Sequence, residues 1–293
     1  MTSSPLPVIV GLDGSQCSVV ALDWAAAEAV RRTCPLHIVH VSPVTWMNVG
    51  PDAVVLTEPI PPSRPPFLDD AVARVAVAWP SLDVTSDEVI DGAASGLVAL
   101  SDEAALVVVG SHGRSLVGRM LMGSVSRHLL THANCPAVVV RGTPLRPGAP
   151  IAVGIDGSPT SHAAMLLACT EASLVGVPLL IVHAWQDLSL NSYGQWYPPV
   201  NVHDDLKRDS EALVAEAVSE ITVAFPDLEV HVRVRENHPI EALLDASRDA
   251  QLLVVGAHGR GAFSGMSVGS VTTAAIHHSS CPVMAVPPVE VSV

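Results

Sequence analysis

"VVVGSHGRSLVGRMLMGSVS", residues 107–126, returns in altered form as "LVVGAHGRGAFSGMSVGSVT", residues 253–272. In both, an apolar β-branched run stops at a glycine, a second glycine follows after two residues, and Gly-Ser closes the segment nine residues later. Such a run reads as a buried strand, and the glycines after it as the loop leading into a helix. The question is what that loop is built to hold.

The repetition extends outward from these segments. "VGLDGSQCSVVALDWAAAEAV" at 10–30 aligns without a gap to "VGIDGSPTSHAAMLLACTEAS" at 153–173, and "PLHIVHV" at 35–41 to "PLLIVHA" at 178–184. "WPSLDV" at 79–84 then matches "FPDLEV" at 225–230, and "NCPAVVV" at 134–140 matches "SCPVMAV" at 280–286. A repeat this long is a domain rather than a solenoid unit. Two homologous domains are expected, 1–143 and 144–293, joined through the Pro- and Gly-rich "RGTPLRPGAP" at 141–150.

Within the first copy, apolar runs predict strands at 8–13, 36–41, 82–90, 105–110 and 137–141. Helices are expected near 17–32, 67–79, 93–103 and 124–133. Strands alternating with helices imply parallel pairing through right-handed crossovers. Nearly unbroken apolar strands such as "ALVVVG" imply a sheet covered on both faces. The fold class is therefore α/β, two tandem doubly wound, Rossmann-like domains. A ligand should lie beyond the carboxyl ends of the strands, where strand order reverses.

The glycine loops occupy such carboxyl ends. Gly110, Gly113 and Gly123 in one copy, and Gly256, Gly259 and Gly269 in the other, admit positive φ or close approach of a ligand. Each loop ends where a helix begins, and helix N-termini offer free N–H groups to an anion. Ser124 and Ser270 are placed to cap those helices or to turn a hydroxyl toward phosphate. The reading is a phosphate cradle made of backbone.

At these residues the chain resembles the universal stress protein family, in its ATP-binding branch with the pattern G-x2-G-x9-G-[ST]. Both copies of the pattern, the "GLDGS" and "GIDGS" segments and the "CP" entry to the last strand carry the resemblance over nearly the whole chain. It implies a five-stranded parallel sheet per domain, in order 3-2-1-4-5. It also implies ATP with Mg²⁺ in each half: Asp13 and Asp156 near the nucleoside and metal, Val41 and Ala184 offering backbone to adenine, the glycines around ribose and phosphates, and Ser124 and Ser270 at the phosphates. Pairing as a homodimer, or as an intramolecular pseudo-dimer, would run through the last strands. The role implied is a nucleotide-dependent sensor or regulator in stress response. A slow ATPase using the same pockets and a dimerisation module with vestigial pockets are the competing readings. Gly118 and Gly265, inside the nine-residue spacers, are added flexibility at the terminal phosphate.

Composition sets limits around this reading. Hydrophobic residues make up 49% of the 293, charged residues only 15%, and the formal charge is −14. That charge disfavours nucleic acid and anionic membrane surfaces as partners. No apolar stretch reaches membrane-spanning length and the start lacks a signal-peptide pattern, so a cytoplasmic location is expected. Five cysteines without a C-x-x-C argue against a disulfide framework or a structural zinc site.

Catalytic chemistry is hard to find. Ser15 and Ser158 lie in "DGS" rather than in a nucleophile elbow, and the lysine of a P-loop is missing; Lys207 is the only lysine. Arg114 and Arg260, after the second motif glycines, are the cations nearest the loops in sequence. His128 and His132 share a helix face, but copy two has Ala274 and His278 there, which favours surface or packing over metal ligation. His112 and His258 recur and read as exposed loop positions or as neighbours of the phosphates. Asp13 and Asp156 could also simply cap a helix or fix a turn. The Pro- and Trp-containing stretches 42–66 and 185–203 read as long loops, covers for the nucleotide or partner-facing patches.

Overall fold

The strands form where the sequence is apolar without interruption, and the helices where Ala-rich segments follow. A computed structural model describes residues 5–42, 64–112, 123–141, 146–186, 202–259 and 268–288. The chain divides into two compact units, Met1–Gly142 and Thr143–Val293.

Unit 1 runs β1 (Val8–Gly11), α1 (Gln16–Arg32), β2 (Leu36–Ser42), α2 (Pro66–Ala78), β3 (Val84–Ile90), α3 (Ala93–Leu100), β4 (Leu106–Gly110), α4 (Ser124–His132) and β5 (Ala137–Val140). All neighbouring strands pair in parallel, β2 with β1 and β3, β4 with β1 and β5, giving the order 3-2-1-4-5. Unit 2 repeats the plan with β6 (Ile151–Gly154), α5 (Pro159–Val175), β7 (Leu179–Trp185), α6 (Val202–Ala224), β8 (Val230–Glu236), α7 (Pro239–Asp249), β9 (Leu252–Gly256), α8 (Ser270–His278) and β10 (Val283–Val286). Its pairings give the same order, β8-β7-β6-β9-β10.

The central strands have no solvent face. Val8, Ile9 and Val10 of β1 and Leu106, Val107 and Val108 of β4 are at most 1% exposed, as are Ile151, Ala152 and Val153 of β6. Helices cover both sides of each sheet, which is why these strands read as continuous apolar runs rather than as alternation. Outermost β3 and β8 are only partly covered, and their sequences "VTSDEVI" and "VHVRVRE" are correspondingly mixed.

Three boundaries differ from expectation by two residues or more. β1 ends at Gly11 rather than at 13: Leu12 makes a last bond to β2, its N–H donating to the Val39 carbonyl at 2.8 Å, and Asp13 begins the turn. β3 begins at Val84, two residues late, after a turn at the end of α2. The helix expected over 93–103 stops at Leu100 and finishes as a single 3₁₀ turn, Ser101–Glu103. Most of the two long loops, as well as Gly113, Arg114, Gly118, Arg260 and Gly265, lie outside the described residues.

Candidate nucleotide-binding clefts

Each unit opens a cleft of about 260 Å³ at the carboxyl ends of its strands, between the turn after the first strand and the start of the last helix. Strand order reverses there, since the first strand feeds one flank and the fourth strand the other.

The Asp-Gly-Ser turn forms one wall, and it is built twice in the same way. Asp13 Oδ1 accepts the Ser15 N–H at 2.9 Å, and Asp156 Oδ1 accepts the Ser158 N–H at 2.9 Å. Gly14 and Gly157 between them sit at φ 77° and 78°, a left-handed conformation that costs a side-chain-bearing residue energy. The helix caps are Ser15 and Ser158, whose hydroxyls accept the N–H of Ser18 and Ser161. The aspartates therefore fix the turn and do not cap. Ser18 and Ser161 complete the knot by donating their hydroxyls to the Ser15 and Ser158 carbonyls at 2.9 Å.

A histidine from the second strand buttresses this turn in each unit. His40 Nδ1 lies 2.6 Å from the Leu12 carbonyl oxygen and His183 Nδ1 lies 2.8 Å from that of Ile155. A carbonyl only accepts, so Nδ1 carries the proton in both rings. These histidines were missed in the sequence, although the recurrence of His in "IVHV" and "IVHA" was a signal for them.

The opposite wall is the open end of α4 or α8. Gly123 and Gly269 are the residues preceding these helices, and no side chain among the described residues caps either start. Ser124 and Ser270 are therefore not N-caps: they are the first helical residues, exposed at the cleft. Neither helix carries an acidic residue in its first turn, so the positive end of each dipole faces the cleft uncompensated by the helix's own side chains. Ser126 and Thr272 hold the starts in place by donating hydroxyls to the Gly110 and Gly256 carbonyls, at 3.2 and 2.7 Å. Sequence reasoning did not pick out this pair.

The motif glycines prove to have three different jobs. An ideal Cβ on Gly110 would lie 2.8 Å from the backbone of Cys17, and one on Gly256 would lie 3.0 to 3.1 Å from Thr160. These first glycines line the clefts, but their missing side chain lets α1 and α5 approach the fourth strand. A Cβ on Gly259 would lie 2.6 Å from Asp156 Oδ2, so this glycine makes room for the carboxylate. Gly123 and Gly269 are different again. Their φ values, −58° and −64°, suit any residue, and among the described residues a Cβ would meet nothing nearer than 3.8 Å and 3.4 Å respectively. As far as the described residues go, what glycine preserves at these two positions is open space in the cleft beside helix N–H groups that no described side chain caps.

The remaining lining is apolar and lies toward the second strand: Val39, Val41 and Leu97 in unit 1, Val182, Ala184 and Leu243 in unit 2. Val41 and Ala184 thus line the clefts, as do Asp13, Asp156 and Ser270 and Ser124. His112 and His258 are half-buried members of the lining rather than exposed loop residues, and the His112 ring bonds Ser111 Oγ at 2.9 Å. His128 and His132 lie exposed on α4 with ring centroids 4.4 Å apart. Among the described residues, no three His, Cys, Asp or Glu side chains cluster as a metal cage. Nor is any helix among them long and apolar enough to cross a membrane.

The sequence pattern of the universal stress protein family matches residues 6–141 and again 149–287. A universal stress protein of Mycobacterium tuberculosis is 36% identical over 295 residues, covering 94% of this chain and 95% of that one. Another, of Mycolicibacterium smegmatis, is 35% identical over 291 residues, covering 96% and 97%. Among solved structures, a universal stress protein from Archaeoglobus fulgidus superposes with a TM-score of 0.61 at 18% identity, covering 96% of this chain and 98% of that chain. A functionally unknown protein from Pseudomonas aeruginosa reaches 0.66 at 15% identity, covering 96% and 92%.

Proposed function

The chain belongs to the universal stress protein family, in a tandem form that carries the family's domain twice, and from that premise we propose that each unit binds ATP and that occupancy serves as a signal in stress response. The observation carrying this reading is the pair Gly123 and Gly269: glycines that neither backbone conformation nor packing by the described residues requires, at helix starts that line a cleft and that no described side chain caps. A Cβ there would take space that a phosphate needs to reach the amides.

The two ends of each cleft suit the two ends of a nucleotide. Phosphates belong at the amide end, and a purine base belongs at the apolar end formed by Val41 and Leu97 or Ala184 and Leu243. Asp13 and Asp156 are the acidic residues lining the clefts among the described residues. A bare carboxylate beside a triphosphate is repulsive, and a Mg²⁺ ion bridging the two removes that repulsion while needing only one or two protein carboxylates. Bound Mg²⁺ would supply charge neutralisation at the phosphates; the chain's own contribution is the turn that holds the carboxylate and the amides that hold the anion. Such a site favours ground-state binding, and equal binding of substrate and transition state does not accelerate hydrolysis.

Calorimetry on nucleotide-stripped protein tests the proposal and should give close to two ATP per chain. Gly123→Glu and Gly269→Glu should each remove one of the two with an unchanged circular dichroism spectrum, because the added carboxylate occupies space open in the fold and repels phosphate. Wild-type stoichiometry in both variants, or no adenine-nucleotide binding by the unaltered chain, overturns it. Continuous phosphate release from saturating ATP and Mg²⁺ would move the assignment to an ATPase.

A further inference from the structure

The apolar ends of the two clefts differ in opposite directions on their two walls. In unit 1 the strand residue is Val41, 8% exposed, and the facing position on α3 is Gly96, where a Cβ would come within 3.1 Å of Val41 Cγ1. In unit 2 the strand residue is Ala184 and the facing position on α7 is Ala242, which is 2% exposed. The larger side chain thus stands on the strand in unit 1 and is compensated by removing the one opposite. At the first turn of the same helix the change runs the other way: cleft 1 is lined by Ala93 and cleft 2 by Pro239. Both cavities still measure about 260 Å³. Room lost beside the strand in unit 1 is present beside the helix, and in unit 2 the reverse holds.

From this we infer that the two clefts discriminate differently among purine nucleotides at the base, and that Val41 with Ala93 in one unit and Ala184 with Pro239 in the other set the difference. The inference rests on the nucleotide reading, which puts the base at the apolar end. Close-packed pockets feel a single methylene by about tenfold or more in relative affinity. Two substitutions on opposite walls should therefore reorder ligands without abolishing binding. The phosphate end, built from the same turn and the same helix start in both units, contributes a shared term that cancels in such a comparison.

The test uses the full chain with one cleft closed at a time. Gly269→Glu reports cleft 1 and Gly123→Glu reports cleft 2, each titrated with ATP, N6-benzyl-ATP and 2-methylthio-ATP. The expected result is that the affinity ratio of at least one enlarged analogue to ATP differs between clefts by about tenfold or more. Adding Val41→Ala, Ala93→Pro and Gly96→Ala to the cleft 1 reporter should carry its ratios toward those of cleft 2. Val41→Ala alone, the milder change, should move them in the same direction. Identical ratios in the two clefts, or ratios that the exchange leaves in place while ATP still binds, overturn the inference. Absence of ATP binding in both reporters is a failure of the nucleotide reading itself and shows as such.

Discussion

Gly110 and Gly123 stand in one motif, yet the structure separates what a side chain would do at each. At Gly110 the added methyl meets the Cys17 backbone at 2.8 Å, and backbone cannot swing aside. Gly110→Ala should therefore destabilise unit 1 by about 1–3 kcal/mol, the usual cost of overpacking. Gly123→Ala meets, among the described residues, only Ser126 Oγ at 3.8 Å and should change stability by less than about 0.5 kcal/mol while weakening ATP binding in that unit. Denaturant midpoints and calorimetry on the two variants check the contrast; a stability loss at Gly123→Ala as large as at Gly110→Ala would contradict it. From the sequence both glycines read alike, because spacing shows that a side chain is absent and not what approaches the gap. The reason for Gly110 lies in α1, more than ninety residues away in the chain, and only tertiary structure brings it near. The same limit hid His40 and His183, whose partners are carbonyls of Leu12 and Ile155 on the neighbouring strand's exit.

At the scale of elements, the positions of strands and helices were legible because burial on both faces writes an apolar run and Ala-rich crossovers write helices. Boundaries were less so where a side chain competes with regular structure. Asp13 ends β1 early by drawing the Ser15 N–H into a turn, and Ser15 then starts α1 by accepting from the Ser18 N–H at 3.2 Å. The sequence offered a capping role for Asp13 and Asp156 and for Ser124 and Ser270; α1 and α5 are capped by Ser15 and Ser158 instead, and α4 and α8 start after Gly123 and Gly269 with no cap from a described side chain. Ser15→Ala and Ser158→Ala should each cost about 1 kcal/mol, the ordinary value of a lost hydroxyl cap. Each should also raise amide hydrogen exchange at the first turn of its own helix, α1 or α5. An effect confined to the far end of the helix would show that the cap bond is not what holds the start. The open starts of α4 and α8 give the complementary case, since there is no cap bond to remove among the described residues.

For the whole molecule, the absence of a C-x-x-C pointed to thiols used for packing. Cys34, Cys135, Cys169 and Cys281 are buried, while Cys17 is half-exposed. Burial pushes Cys135 up to about 12 and Cys169 and Cys281 up to about 11 from an ordinary 9.0, and raises Cys34 as well. Their neutral forms are thus favoured by folding. The contribution to stability is complete below pH 9, where the unfolded thiols are still protonated, and is lost as pH rises toward 11 to 12. At pH 8 a thiol reagent should label Cys17 in the folded protein and the other four only after unfolding. Denaturation midpoints should fall above pH 9, with Cys135→Val reducing the fall; rapid labelling of several thiols at pH 8 would refute the account. The two halves also differ in a way that constrains how one could be changed into the other. Because a side chain at 96 crowds Val41 at 3.1 Å, the change from one pair to the other has a preferred order. Shrinking the helix position first opens a small void, whereas enlarging the strand position first leaves a contact so tight that the valine has to shift by a few tenths of an ångström. An exchange between the two pairs should therefore pass more readily through Ala at 41 with Gly at 96 than through Val with Ala, so the looser pocket is the easier intermediate whichever pair it starts from.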